Sequence, residues 1–178
     1  MIRKIKVTIK GTSPLLMHKF LMEPIEALEK RSPAEQAEIA AYRNPDSGNL
    51  YIPGVAIQRG LIQASAYSKG KGRASLVKTA AACFLVSPEY VDLGTKTFEI
   101  DARPVVIKAT QGRVMRFRPR LNDWLATFTL EYDDTLLTEN QVRRIVDDMG
   151  VRCGLLDFRP ERKGPMGRCV VVKWNAGE

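Results

Sequence analysis

The residues best suited to chemistry in this sequence are arginines set among glycines. In GLLDFRPERKGPMGRCVVVKW, Gly154 to Trp174, the side chains of Arg159, Arg162, Lys163 and Arg168 stand beside Gly154, Gly164 and Gly167, ahead of an apolar strand. Guanidinium forks match phosphate oxygens, and a glycine removes the Cβ that would hold a phosphodiester off the backbone, so the stretch reads as a backbone-binding loop. A second basic stretch precedes it. Between Ala102 and Asn122 there is no acid, whereas Arg103, Lys108, Arg113, Arg116, Arg118 and Arg120 all occur. Solubility is served by mixed signs; an acid-free basic hairpin interleaved with Val114, Met115 and Phe117 instead combines phosphate pairing with apolar surface for bases. A third stretch, SKGKGRASLVK, carries Lys69, Lys71, Arg73 and Lys78 on glycine-rich backbone and is expected to add phosphate contacts.

Acid–base, nucleophilic and metal chemistry are poorly supplied. His18 is the single histidine, and no partner base for it is identifiable in the sequence. Asp46 lies in Asn44-Pro45-Asp46-Ser47-Gly48, a turn cluster whose side chains bond their own backbone, which accounts for it without a catalytic role. Cys83, Cys153 and Cys169 are odd in number and far apart, which argues against a disulfide framework or a zinc site and suggests buried thiols. The expectation is binding without catalysis, metal or cofactor.

Composition supports a polyanionic partner. The net charge is +8 with 28 Lys and Arg against 20 Asp and Glu, and the isoelectric point is near 9.6. With 178 residues, 44% apolar and 27% charged, the chain suits one globular domain. Its apolar runs, such as Ala80 to Val86, are far too short to cross a bilayer, and the first residues lack the apolar core of a signal peptide, so a cytoplasmic protein without a membrane partner is expected.

The elements that must position these groups follow from periodicity. IRKIKVTIKG alternates Ile5, Val7 and Ile9 with lysines and a threonine, the pattern of a half-buried strand. Ser32, Pro33 and Glu35 form a capping box for a short inserted helix. Pro53 opens a helix over about 54–69, with Val55, Ile57, Leu61, Ile62 and Ala66 as its apolar stripe, Gly60 permitting close packing, and Gly70 and Gly72 ending it. A β-rich region runs from Thr97 to Leu130 with Gln111-Gly112 as a hairpin turn. Thr138 and Gln141 cap a helix over about 138–150 that turns Val142, Ile145, Val146 and Met149 inward, and Cys169 to Trp174 is the last strand. The order, strand, insertion, helix, β-rich hairpin, strand, helix, loop, strand, reduces to βαββαβ. That is the α+β ferredoxin-like, or RRM-like, plan, with four antiparallel strands, both helices on one face and the other face free for a single strand of nucleic acid. The reading is one domain over 1–178 with insertions at about 21–50 and 103–120.

Two stretches carry a resemblance to a known family: YIPGVAIQRGLIQAS, with Ile52-Pro53-Gly54 and Arg59-Gly60, and the glycine-arginine loop from Gly154 to Arg168. Together they resemble the RAMP superfamily, and within it the RNA-coating backbone subunit of multisubunit CRISPR effectors; a solitary relative from a phage or mobile element fits the same residues. The resemblance implies an RRM-like core that coats single-stranded RNA, or single-stranded DNA, and assembles with itself along the strand, with other effector subunits as further partners. It places Arg59 and Gly60 on a helix facing RNA, and Gly154, Arg159, Gly164, Gly167 and Arg168 in the family's glycine-rich loop. The 103–120 hairpin resembles the thumb that pushes between bases. Some relatives cleave target RNA through an aspartate upstream of the Ile-Pro-Gly motif, where Asp46 is the nearest candidate, and others process RNA with a histidine, where His18 would serve. An RNA-cleaving enzyme and a protein-interaction module with a basic surface stand as the alternatives.

Overall fold

The computed structural model describes residues 1–70 and 74–177. Lys71 and Arg73, expected to meet phosphates, lie outside the described residues. The chain begins with β1 (Ile2–Gly11), β2 (Leu15–Leu16), α1 (Ile25–Glu29), α2 (Pro33–Ile39) and β3 (Tyr51–Pro53). It continues through α3 (Gly54–Ala64), α4 (Val77–Cys83), β4 (Leu85–Ser87), β5 (Tyr90–Asp92), β6 (Glu99–Val106), β7 (Arg113–Leu121) and β8 (Leu125–Asp133), and ends with α5 (Glu139–Asp148) and β9 (Cys169–Ala176).

Four strands form an antiparallel sheet in the order β4-β8-β1-β9. With α3 between β1 and β4, and α5 between β8 and β9, this is the ferredoxin-like βαββαβ plan. The alternation in β1 decides which side is inside: Ile5, Val7 and Ile9 pair with Leu130, Phe128 and Ala126 of β8, and all six are buried. Against that face lie Ile57, Leu61 and Ala64 of α3 and Val142, Ile145 and Val146 of α5. The opposite face carries Lys4, Lys6, Thr8 and Lys10. Among the described residues no helix is long and apolar enough to cross a membrane.

The sequence reading misassigned one core strand. Its second strand is not the basic hairpin but Leu85–Ser87, three residues from the run read as small and apolar, too short to show a period. The hairpin, β6 and β7, instead joins β2 in a separate three-stranded sheet, and α2 packs against β7.

Helix ends follow local chemistry. The backbone N–H of Ser32 donates to Glu35 Oε2 at 2.8 Å and that of Thr138 to Gln141 Oε1 at 2.9 Å, and each cap's hydroxyl accepts from the third residue in return. α3 stops at Ala64, short of the expected 69. The buried Ser65 hydroxyl donates to the Ile62 carbonyl at 2.6 Å, and one tighter turn, Ser65–Tyr67, follows. α5 runs on as a wide turn over Met149–Cys153, which Gly154 terminates at φ +69° by donating its N–H to the Met149 carbonyl at 2.8 Å.

Two glycines set how closely the layers approach. A Cβ on Gly60 would meet the flexible end of Met149 at 3.1 Å, whereas one on Gly150 would collide with the backbone carbonyl of Cys169. Methionine can move aside and a strand carbonyl cannot without breaking its ladder. In urea denaturation, Gly150→Ala is therefore expected to cost on the order of 3 kcal/mol and Gly60→Ala about 1 kcal/mol or less; equal losses would contradict this packing.

Candidate nucleic-acid interface

The glycine-arginine loop is held by its own backbone. Leu155 N–H donates to the Gly167 carbonyl at 2.9 Å, Met166 N–H to Phe158 at 2.9 Å, and Gly164 N–H to Arg159 at 3.0 Å. The loop is tied to the β1–β2 connection by Gly167 N–H to Pro14 at 2.8 Å and to β2 by Asp157 N–H to the Leu16 carbonyl at 3.0 Å. Gly164 and Gly167 are buried, and a Cβ on either would strike the carbonyl oxygen of Phe158 or Leu155. This corrects the expectation that these glycines make room for a ligand: they make room for the loop itself. Leu156 at φ +60° and Phe158 at φ +50° are bulky residues in the left-handed region, a local cost that the surrounding bonds hold in place.

One buried arginine fastens the basic hairpin to this loop. Arg118 is 7% exposed and donates through Nη1 to Asp157 Oδ2, while its Nη2 stands 3.9 Å from Asp101 Oδ2. Asp101, 6% exposed, also accepts from Arg103 Nε at 2.8 Å and faces Arg120 Nη1 at 3.7 Å. The Arg103 guanidinium in turn lies 5.2 Å from the centre of the Phe158 ring. Arg118 is thus a structural clamp, not the solvent-facing phosphate ligand expected of it. Arg159 is also engaged internally, with Nε donating to Glu161 at 2.9 Å and Nη1 to the Leu156 carbonyl at 2.8 Å.

What remains is a cleft of about 600 Å³ between α3 and the loop, walled by Arg59, Arg159, Arg162, His18, Tyr42 and Asp157 among others. A smaller hollow of about 340 Å³ adjoins it at the hairpin base, where Arg103, Pro104, Val105 and Phe158 meet Arg159 and Arg162. Arg59 and Arg162 are exposed and form no ion pair among the described residues. The other expected contacts are dispersed: Lys69, Arg113, Lys163 and Arg168 are exposed but line neither space. Lys69 bridges to Ser75 in the connection between α3 and α4, Arg113 begins β7 at the hairpin tip, and Arg168 adjoins Ser13. On β7, Arg116 and Arg118 lie on one face, and Phe117, half-buried, shares the other with Met115 and Pro119. Arg116 leaves Nη1 buried without a partner.

The sequence reading missed Tyr42, Asp157 and Phe158. Tyr42 lies outside every charged stretch, and Asp157 and Phe158 stand within the glycine-arginine loop but carry no positive charge, so a search for basic residues passes over all three. Asp46 N–H donates to Asn44 Oδ1 at 2.9 Å, in the expected turn, and Asp46 lines neither space. The three cysteines are free and buried, and burial pushes the Cys153 thiol up to about 11 and the Cys169 thiol up to about 12. They are neutral thiols near pH 7.

His18 is solvent-exposed, yet neighbouring protein desolvates its ring and lowers its pKa; Asp157 opposes this, and Arg118 and Arg116 add to it. A lowered folded pKa means that the unfolded state binds the proton more readily. His18 therefore contributes stability above the ordinary value of about 6.5 that is lost as pH falls through its folded pKa. With a single histidine in the chain, its Cε1–H resonance is unambiguous. We expect an NMR titration midpoint below about 6.5; a midpoint at or above that value would contradict the described surroundings. Separately, Asp101→Asn should cost on the order of 3–5 kcal/mol by leaving Arg118 buried with half its countercharge, read as a lower denaturation midpoint; an unchanged midpoint would mean that the clamp does not hold the hairpin.

No protein-family profile and no curated protein sequence matches this chain. Among solved structures, it is similar to a chain in the cryo-EM structure of the Type III-B Cmr-beta bound to cognate target RNA, with a TM-score of 0.59 and 12% sequence identity. The match covers 98% of this chain and 60% of that one, so this chain spans less than two thirds of its length. At that identity what the two share is the fold, and the fold is the ferredoxin-like α+β plan that the strand order shows.

Proposed function

We propose that the chain binds single-stranded RNA in the cleft between α3 and the glycine-arginine loop, as a RAMP-like coating subunit that does not cut the strand. The observation that carries this reading is the convergence of Arg59 and Arg162. They are more than a hundred positions apart in sequence, yet they face one cleft without carboxylate partners among the described residues. Arginines left unpaired beside an open cleft suit phosphates, and backbone pairing carries no sequence preference, so binding is weakly sequence-specific. Tyr42 and the exposed Val55 in the same wall give bases a surface to rest on. Similarity in fold to a chain of an RNA-bound complex supports the same reading. Self-assembly along RNA, with single-stranded DNA as the other ligand of the same chemistry, belongs to the proposal.

A second reading has one observation in its favour. His18 and Tyr42 line the same cleft, and His18 is held toward its neutral form while desolvation raises the Tyr42 pKa, so a base and an acid face one space. We favour binding, because Arg118 and Asp157 are committed to the clamp and leave neither group an orienting partner. Specific cuts in a labelled RNA, lost in His18→Ala, would establish cleavage in its place.

The test is fluorescence anisotropy with oligonucleotides across a salt series. Arg59→Ala with Arg162→Ala should lower the log–log salt slope by roughly 1.4, about 0.7 for each lost phosphate contact on a single strand. Arg113→Ala with Lys163→Ala, outside the cleft, should leave the slope nearly unchanged. Equal slopes for the wild type and the first pair would remove the cleft as the binding site.

A further inference from the structure

A nucleotide brings a phosphate, a base and a sugar to the cleft. Arg59 and Arg162 suit the phosphate, and Tyr42 and Val55 suit the base. The sugar of RNA needs a neutral partner, because its 2′-hydroxyl both donates and accepts a hydrogen bond. Gln63 has that chemistry: its carboxamide carries two N–H donors and a carbonyl acceptor, and among the described residues it is the one carboxamide that lines the cleft.

An exposed glutamine on a helix is ordinary, but this one differs from the others in the chain. Of five glutamines, Gln36 donates to the Arg31 carbonyl, Gln58 accepts from Val86 N–H, Gln111 donates to the Lys108 carbonyl and Gln141 accepts from Thr138 N–H at the α5 cap. Each of those secures the fold. Gln63 forms no hydrogen bond among the described residues and is exposed on the cleft wall.

Its position sorts its ligand from that of Arg59. The two are four residues apart on α3 and share a face, with Gln63 one turn, about 6 Å, further along the axis. A strand that runs along this wall with a phosphate on Arg59 brings the adjoining part of its backbone to Gln63. Because α3 ends at Ala64, Gln63 lies in the last turn, where the helix dipole is negative. A second phosphate is disfavoured there, whereas a hydroxyl hydrogen is not. A base resting on Val55 is out of reach, since Val55 lies two turns, about 12 Å, before Gln63.

We propose that Gln63 makes the cleft selective for RNA over DNA, its carboxamide bonding the 2′-hydroxyl of the nucleotide next to the phosphate held by Arg59. The inference rests on the reading above and narrows it, because arginine pairing with phosphates does not by itself tell the two nucleic acids apart. His18 and Tyr42 are the other neutral hydrogen-bonding groups in the lining, and neither lies on α3.

Fluorescence anisotropy with RNA and DNA oligonucleotides of one length tests this, using a sequence of A and C alone so that the bases are identical. The wild type should bind the RNA roughly three- to tenfold more tightly, the worth of one hydrogen bond, at a common salt slope. Gln63→Met, which keeps the length and helix preference of the side chain but removes the amide, should bring RNA down to the DNA affinity and leave DNA affinity and both slopes unchanged. Tyr42→Phe keeps the ring, loses the hydroxyl and should retain the RNA preference. Circular dichroism accompanies each variant, and Gln63→Ala takes the place of Gln63→Met if the latter does not fold. Equal affinity of the wild type for RNA and DNA, a preference that survives in the folded Gln63 variant, one that Tyr42→Phe abolishes, or one that changes with the ratio of A to C would each overturn this inference and leave the cleft as the binding site. If neither nucleic acid binds, or if Arg59→Ala with Arg162→Ala binds both at the wild-type slope, the reading of the cleft falls and this inference with it.

Discussion

The structure depends on a buried guanidinium shared between two carboxylates. Arg118 is the meeting point of the hairpin, through Asp101, and the glycine-arginine loop, through Asp157. Taking these charges out of water is expensive, and the cost is recovered only when the partners are close and fixed, so the clamp specifies a geometry more than it adds stability. With it in place, hairpin residues and loop residues together line the small hollow. Without it, β6 and β7 would be a hairpin joined to the domain mainly through β2 and α2.

The clamp also decides which cations remain for a partner. Asp101 and Asp157 draw Arg103, Arg118 and Arg120 inward, and Glu161 holds Arg159, so the density of arginine in the sequence is partly spent on the protein's own carboxylates. Arg59 and Arg162 are left over on facing walls. An unpaired, exposed arginine keeps its full field, so these two give the cleft its positive potential.

The cleft with the unpaired arginines does not lie on the open face of the sheet. A bare ferredoxin-like sheet invites a nucleic acid onto its open face, and that face here carries Lys6, Lys10 and Lys173 around Thr8 and Thr127, whose hydroxyls bond at 2.9 Å. Among the described residues of these strands no aromatic ring points that way to stack a base. The cleft lies instead on the helix side, where α3 brings Arg59 and the loop brings Arg162. The same plan can thus carry a charged cleft on either layer, and the side chains decide which.

Sequence alone determined what short-range physics controls. The capping boxes at Ser32 and Thr138, the period-two alternation of β1 and the Asn44 turn are each set within a few residues, where hydrogen-bond reach and side-chain direction leave little freedom. The βαββαβ order was legible for the same reason, apart from the three-residue strand at Leu85–Ser87, which is too short to display a period. The tertiary structure decided which basic residues are free. Arg118 meets Asp157 from 39 positions away, and the glycines at 164 and 167 are filled by carbonyls of their own loop. Charge pairing and close packing act through space, so composition can report that arginines are abundant but not which of them a folded chain has already neutralised.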